Sequence, residues 1–151
     1  MDAISERSAL AALLSAYFAA VDDKRLDADV VAATFTPDAT MTRPNGTTVT
    51  GREAILSRQS ESFARFRATQ HMLTDHLVEL DGDVARLRVN VQAVHLWGEG
   101  RHDPAELASH FVAGGVLRAA ARRTPDGWRL SEIAMRPTWR TGAGLGVMAR
   151  S

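Results

Sequence analysis

Leu10, Leu13, Leu14, Tyr17, Phe18 and Val21 recur at the spacing of one face of an α-helix. They predict a first helix that ends at Asp22-Asp23-Lys24-Arg25, with Ser5 or Ser8 as its N-cap. A short second helix is predicted over Ala28 to Phe35, capped by Asp27 and stopped by Pro37-Asp38. Ala39 to Thr42 and Thr47 to Thr50 read as a small hairpin around Pro44-Asn45-Gly46. Thr50-Gly51-Arg52-Glu53 has the form of a capping box. It should open a third helix carrying Ile55, Leu56, Phe63 and Phe66 on one stripe.

Beyond that point the pattern alternates by two. Gln70 to Leu80 and Val84 to Trp97 flank Asp81-Gly82, a hairpin signal. In the second strand Ala85, Leu87, Val89, Val91, Ala93, His95 and Trp97 share one face; Arg86, Arg88, Asn90 and Gln92 share the other. Ser109 to Arg122 and Trp128 to Trp139 flank Pro125-Asp126-Gly127 and predict a second long hairpin. Helices first and long antiparallel strands afterwards define an α+β class. The expected architecture is three N-terminal helices on one side of a curved, mostly antiparallel sheet, a cone-shaped barrel enclosing a pocket. Residues 1–142 should form this domain. Residues 143–151, glycine-rich and weakly patterned, read as a flexible tail.

Composition narrows the function classes. Eighteen basic residues balance eighteen acidic ones among 151, which leaves no electrostatic footprint for nucleic acid or an anionic membrane. No apolar run is expected to reach the roughly 20 residues of a membrane span. The chain has no cysteine, so disulfides and thiolate chemistry drop out. Met1-Asp2-Ala3-Ile4-Ser5-Glu6 lacks the basic start of a signal peptide. A cytoplasmic location is the expectation.

Three polar residues stand out against the apolar pattern. Asp22 closes the first helix, where a carboxylate opposes the macrodipole, so helix stability does not ask for it. His71 opens one predicted strand, with Leu73 and Leu77 on its face. His95 lies on the buried face of the next. An acid beside two imidazoles can move protons near neutral pH. Each also has a plain reading: Asp22 as a turn cap or partner of Lys24 or Arg25, the histidines as core residues bonded to backbone carbonyls. Asp23 could serve in place of Asp22. His76 has the opposite parity to His71, His102 falls in a polar segment, and His110 begins a strand near the pocket mouth. Two histidines and an aspartate also describe an iron-binding facial triad, though metal-free chemistry is the preferred reading and no cofactor is expected. No glycine-rich phosphate loop, Gly-x-Ser-x-Gly or His-Glu-x-x-His occurs.

Tyr17-Phe18-Ala19-Ala20-Val21-Asp22, Thr36-Pro37-Asp38-Ala39, Gly51-Arg52-Glu53-Ala54-Ile55, Thr69-Gln70-His71, Asp81-Gly82-Asp83-Val84-Ala85 and Asp126-Gly127-Trp128-Arg129-Leu130 follow in an order that resembles a known family. This is the SnoaL-like branch of the nuclear transport factor two-like superfamily, which includes ketosteroid isomerases and polyketide cyclases. The resemblance runs to about Gly142. Asp22, His71 and His95 are similar in position to the aspartate and two histidines of scytalone dehydratase and its relatives, and Met135-Arg136-Pro137-Thr138-Trp139 resembles that family's last strand. Dehydrochlorinase relatives share the Asp and first His as a base dyad. Val21 and Thr42 stand where scytalone dehydratase has tyrosines, which implies a different substrate; Tyr17 is the only tyrosine.

The resemblance implies a cofactor-independent lyase, a dehydratase acting next to a carbonyl on a small hydrophobic polyketide-like or aromatic substrate. His71 oriented by Asp22 would be the base, and His95 would donate to the departing hydroxyl or hold the enolate oxygen. Tyr17, Val21, Thr42, Phe63, Val91, Trp97 and His110 are the expected pocket wall. An isomerase or cyclase using the same dyad, and a non-catalytic small-molecule binder, are the alternatives. The family resemblance further implies a homodimer or homotrimer through the exposed sheet face.

Overall fold

The computed structural model describes residues 2–99 and 103–146. Helix α1 spans Ala3–Asp22, α2 spans Ala28–Thr34, β1 Phe35–Thr42, β2 Thr48–Thr50 and α3 Arg52–Ala64. Then come β3 (Phe66–Asp81), β4 (Val84–Trp97), a short 3-10 turn (Leu107–Ser109), β5 (His110–Thr124) and β6 (Gly127–Gly142). The six strands form one sheet in the order β2-β1-β6-β5-β4-β3. The β1–β6 pairing is parallel; the other pairings are antiparallel.

The predicted stripe on α1 is its buried face. Leu10, Leu14, Tyr17, Phe18 and Val21 join Val31, Phe35, Ile55, Leu87, Val89 and Leu130 in the main core. Burying each such side chain is worth about 1.5–3 kcal/mol. The cap is Asp2, not Ser5 or Ser8: its carboxylate accepts the Ser5 N–H at 2.9 Å. Asp27 caps α2 as expected. That helix ends at Thr34, and Pro37-Asp38 lie inside β1, where the register with β6 is interrupted between Phe35 and Thr40. Proline cannot donate to a ladder, so it sits where the ladder is broken. The capping box at Thr50 does not form: Gly51 caps α3 with φ +92, and no side chain bonds its first turn. Phe66 belongs to β3 rather than to the α3 stripe.

Strand β3 departs most from strict alternation. Asp75 adopts φ +55, and the register with β4 slips between Thr74 and Leu77. One extra residue reverses the faces beyond the bulge. Leu77 is therefore 62% exposed, while Val78 and Leu80 pack on the core. The same step puts His76 on the parity of Val78, correcting the expectation that it faces away from His71; its Nε2 is buried. On the His71 side of the bulge, His71 sits opposite Ala93, and Thr69 opposite His95. Two histidines on adjacent strands thus point the same way, one diagonal step apart.

Helix α1 also corrects the expectation about membrane spans: its 20 residues are long and apolar enough to cross a bilayer by length and composition alone. In this fold its apolar face is the core. At the other end of the chain, Trp97 Nε1 donates to Ala143 O at 2.8 Å, and Leu145 packs beside Phe66 and Phe111. Ala143 and Leu145 thus make contacts with the sheet, and none of residues 143–146 lines the cavity; the rest of the expected tail, 147–151, lies outside the described residues. His102 lies outside the described residues.

Candidate active site

A cavity of about 140 Å³ opens between α1, α3 and the inner face of β4–β6. Tyr17, Thr42, Phe63, Val91, His71 and His95 all line it. Val21, Trp97 and His110 do not. Val21 turns into the main core, 4% exposed. Trp97 packs at a tilt against Phe66 and Phe111 with its indole N–H tied to Ala143. His110 Nδ1 bonds Glu106 O at 2.8 Å, away from the cavity. Sequence reasoning missed Phe18, Gln59, Phe111 and the arginines Arg43, Arg65 and Arg140, all of which line it. Phe18 sat in the helical stripe next to Tyr17. The others carry no local signal, because only the tertiary fold brings them together.

Asp22 sits at the last position of α1 and reaches β3. Its Oδ1 lies 2.7 Å from His71 Nδ1 and accepts Thr69 Oγ1–H at 2.8 Å. Its Oδ2 accepts the His71 backbone N–H at 2.8 Å. Every partner is a donor, so the carboxylate is wanted ionised. Burial raises its pKa, and the side-chain and backbone bonds from His71, with Thr69, outweigh this and hold it below the usual value. A carboxylate accepts only, so the proton sits on His71 Nδ1 and leaves Nε2 as the basic nitrogen. Phe18 lies against the His71 ring at 4.7 Å and Phe63 meets it edge-on at 5.7 Å. The imidazole is thereby held by two aromatic rings and a hydrogen bond to the Asp22 carboxylate. Asp23 takes no part; it pairs with Arg25 at the surface.

His95 is 7% exposed. Its ring stacks on Phe111 at 3.9 Å and packs against Phe66 at 4.8 Å. The His71 and His95 rings are 5.9 Å apart and nearly perpendicular. Burial, then repulsion from His71, pushes the His95 pKa down to about 4, so it is neutral at physiological pH. Its Nδ1 faces the Phe111 carbonyl at 3.4 Å, an acceptor that puts the proton on Nδ1. Nε2 then carries a lone pair. In this tautomer the neutral ring offers an acceptor to the cavity, where a donor role is expected from the sequence.

The low pKa has a stability consequence. The unfolded chain binds a proton at His95 near pH 6.5, and the folded chain does not until about pH 4. Stability therefore falls as pH drops through that window, by about 3 kcal/mol in all. Asp22, whose folded pKa is lowered, loses its contribution only below the ordinary carboxylate range. Replacing His95 by Phe should flatten the melting-temperature profile between pH 6.5 and 4 while leaving the steeper acid limb. A profile in H95F as steep as in the parent would contradict the assignment.

Tyr17 supplies a further polar group. It is 1% exposed, and its hydroxyl accepts from Gln59 Nε2 at 3.0 Å. With the acceptor side occupied, the phenolic proton is free to donate, and burial keeps the phenol protonated. Among the described residues no three His, Cys, Asp or Glu side chains gather closely enough to hold a metal ion.

Residues 2–134 match the SnoaL-like domain family. No curated protein matches the sequence at a significant level. The Kfla4162 protein from Kribbella flavida is similar, with a TM-score of 0.83 at 27% identity over 99% of this chain and 100% of that one. A Novosphingobium aromaticivorans protein provisionally assigned as a scytalone dehydratase gives 0.81 at 18% identity, over 93% and 89% of the two chains. Hexachlorocyclohexane dehydrochlorinase LinA-type3 from Novosphingobium barchaimii gives 0.72 at 18%, over 94% and 95%. At such identities these two share the fold, and the fold hosts many chemistries. The family match spans most of the sequence, and the chain belongs to the SnoaL-like domain family.

Proposed function

We propose that the protein is a cofactor-independent lyase that eliminates water from a β-hydroxy carbonyl compound with an apolar or aromatic body. The observation that carries this reading is the Asp22–His71 pair, 2.7 Å apart at the wall of a largely apolar cavity. His71 Nε2 takes the proton next to the carbonyl, and Asp22 stabilises the imidazolium that forms. The Tyr17 hydroxyl holds the oxygen on which negative charge develops. The C–O bond to the leaving hydroxyl then breaks as the double bond forms, and the imidazolium returns its proton to give water. His95 accepts a hydrogen bond from a substrate hydroxyl and so orients it. Dehydratase and dehydrochlorinase structures among the fold's neighbours support elimination over other uses of the same dyad. This reading also takes the sheet to bend into a cone around the cavity, the exposed sheet face to carry a dimer or trimer contact, and the protein to work in the cytoplasm.

Incubation with a panel of aryl β-hydroxy ketones in heavy water tests it. Enone absorbance should appear, and His71→Ala should cut its rate by about 10²–10⁴. Solvent deuterium exchange without enone would assign an isomerase. Neither exchange nor enone, with an apolar ligand retained on purification, would leave a binding protein.

A further inference from the structure

The rim of the cavity is cationic. Arg43, Arg65 and Arg140 all line it, each half-buried, and no aspartate or glutamate does. Arg43 donates to Ser62 Oγ at 2.5 Å, and Arg65 Nε donates to the Ser62 carbonyl at 3.0 Å. One serine thus draws both guanidiniums to the same spot at the end of α3. Arg65 also lies over the Phe66 ring, 5.5 Å from its centre. Among the described residues none of the three forms an ion pair; Glu61, in the adjoining hollow, pairs instead with Arg58.

Holding like charges together at a half-buried site costs free energy that a folded chain does not need to spend. Arg65 registers it: burial, then repulsion from Arg43, lowers its pKa, against a smaller opposing pull from Glu61. A solvated basic face would spread its guanidiniums outward or pair them. Here they converge where the apolar cavity meets a polar hollow of about 530 Å³ that Arg43, Ser62 and Arg65 also line. Planar guanidiniums match carboxylate and phosphate oxygens in paired hydrogen bonds.

We infer that the natural ligand is an anion whose apolar body fills the cavity and whose carboxylate or phosphate group seats on Arg43 and Arg65, with Arg140 completing the rim. The inference rests on the lyase reading for the identity of the pocket and adds the substrate's charge class. It also explains why the cavity interior is aromatic and aliphatic while its mouth is strongly basic in a chain of zero net charge.

Calorimetric binding to His71→Ala, which needs no turnover, tests the charge separately from the chemistry. The probes are 3-phenylpropanoate, its methyl ester, 2-phenylethyl phosphate and 2-phenylethanol. At least one anion should bind about ten- to a hundredfold more tightly than its neutral counterpart, and the tighter of the two names the anionic group. Added salt should narrow the gap. Arg65→Gln and Arg43→Gln should each remove most of it while leaving the neutral probes within about threefold. Neutral probes binding as well as the anions would overturn the inference, as would an anion preference that survives both substitutions. Loss of elimination activity alone would bear on the lyase reading and not on this one.

Discussion

Asp22→Asn should lower the elimination rate by about 10²–10⁴ while leaving the fold intact. The size follows from hydrogen-bond direction. Asp22 accepts from three donors: the Thr69 hydroxyl, the His71 backbone N–H and the His71 ring. An amide offers one oxygen and one NH₂. The backbone N–H cannot reverse, so the amide oxygen must face it. The NH₂ then faces Thr69, whose hydroxyl can rotate to accept, and His71 Nδ1, which can accept only by losing its proton. The tautomer switches, and the proton moves to Nε2. The nitrogen that should take a proton from substrate already carries one.

A purely structural role for the pair predicts something else. Loss of the carboxylate–imidazole hydrogen bond would then lower the melting temperature and leave turnover near normal. The measurement is kcat for the variant beside its melting temperature at pH 7. A kcat within threefold of the parent would remove Asp22 from the mechanism. Asp22→Asn should also retain affinity for the neutral probes, since the carboxylate is not among the side chains that line the cavity.

The Asp22–His71 pair is legible in the sequence for reasons that can be stated residue by residue. Asp22 was conspicuous because it opposes its helix dipole, and the structure spends it on β3 rather than on a cap. His71 and His95 were placed on one face by period two, which held because no bulge separates Thr69 from Leu73 or Val91 from His95. The period failed a few residues later at Asp75, where a non-glycine residue in the left-handed region shifted Leu77 outward. Aspartate tolerates that region better than most residues, but nothing local demands it. Trp97 shares the parity of His95, yet it lies at the end of β4, where Phe66 and Ala143 claim its ring. Alternation gives the face, not whether a cavity or a neighbour occupies it. The arginine rim is illegible because Arg43, Arg65 and Arg140 come from three separate segments and share a cavity wall only in the folded chain.

Gly115→Ala should be among the most damaging single methyls that the sheet can receive. A Cβ at Gly115 would stand 2.2 Å from the Arg136 carbonyl oxygen and 2.9 Å from Pro137 Cα. Both are backbone atoms, so no side chain can swing aside; β5 and β6 must part. The contact lies where their register slips, Gly114 facing Trp139 and Gly115 facing Pro137. Thr138 is the extra residue, and such a bulge bends the strand that carries it. Overpacking of this kind costs about 3 kcal/mol, a fall of roughly 6–12 °C in melting temperature for a domain of this size. Gly114→Ala is the control. The atoms nearest its Cβ would be those of the Trp139 indole, a side chain 44% exposed that has room to rotate, so its effect should be well under half as large. The kinetic consequence follows from position. Ala113 and Pro137 flank the bulge, and Arg140 lies just beyond it; all three line the cavity. Parting the strands therefore shifts the wall opposite His71, and Gly115→Ala should lose activity even below its melting transition. Equal melting temperatures for the two alanine variants would mean that the sheet relaxes more freely at the bulge than close backbone packing allows.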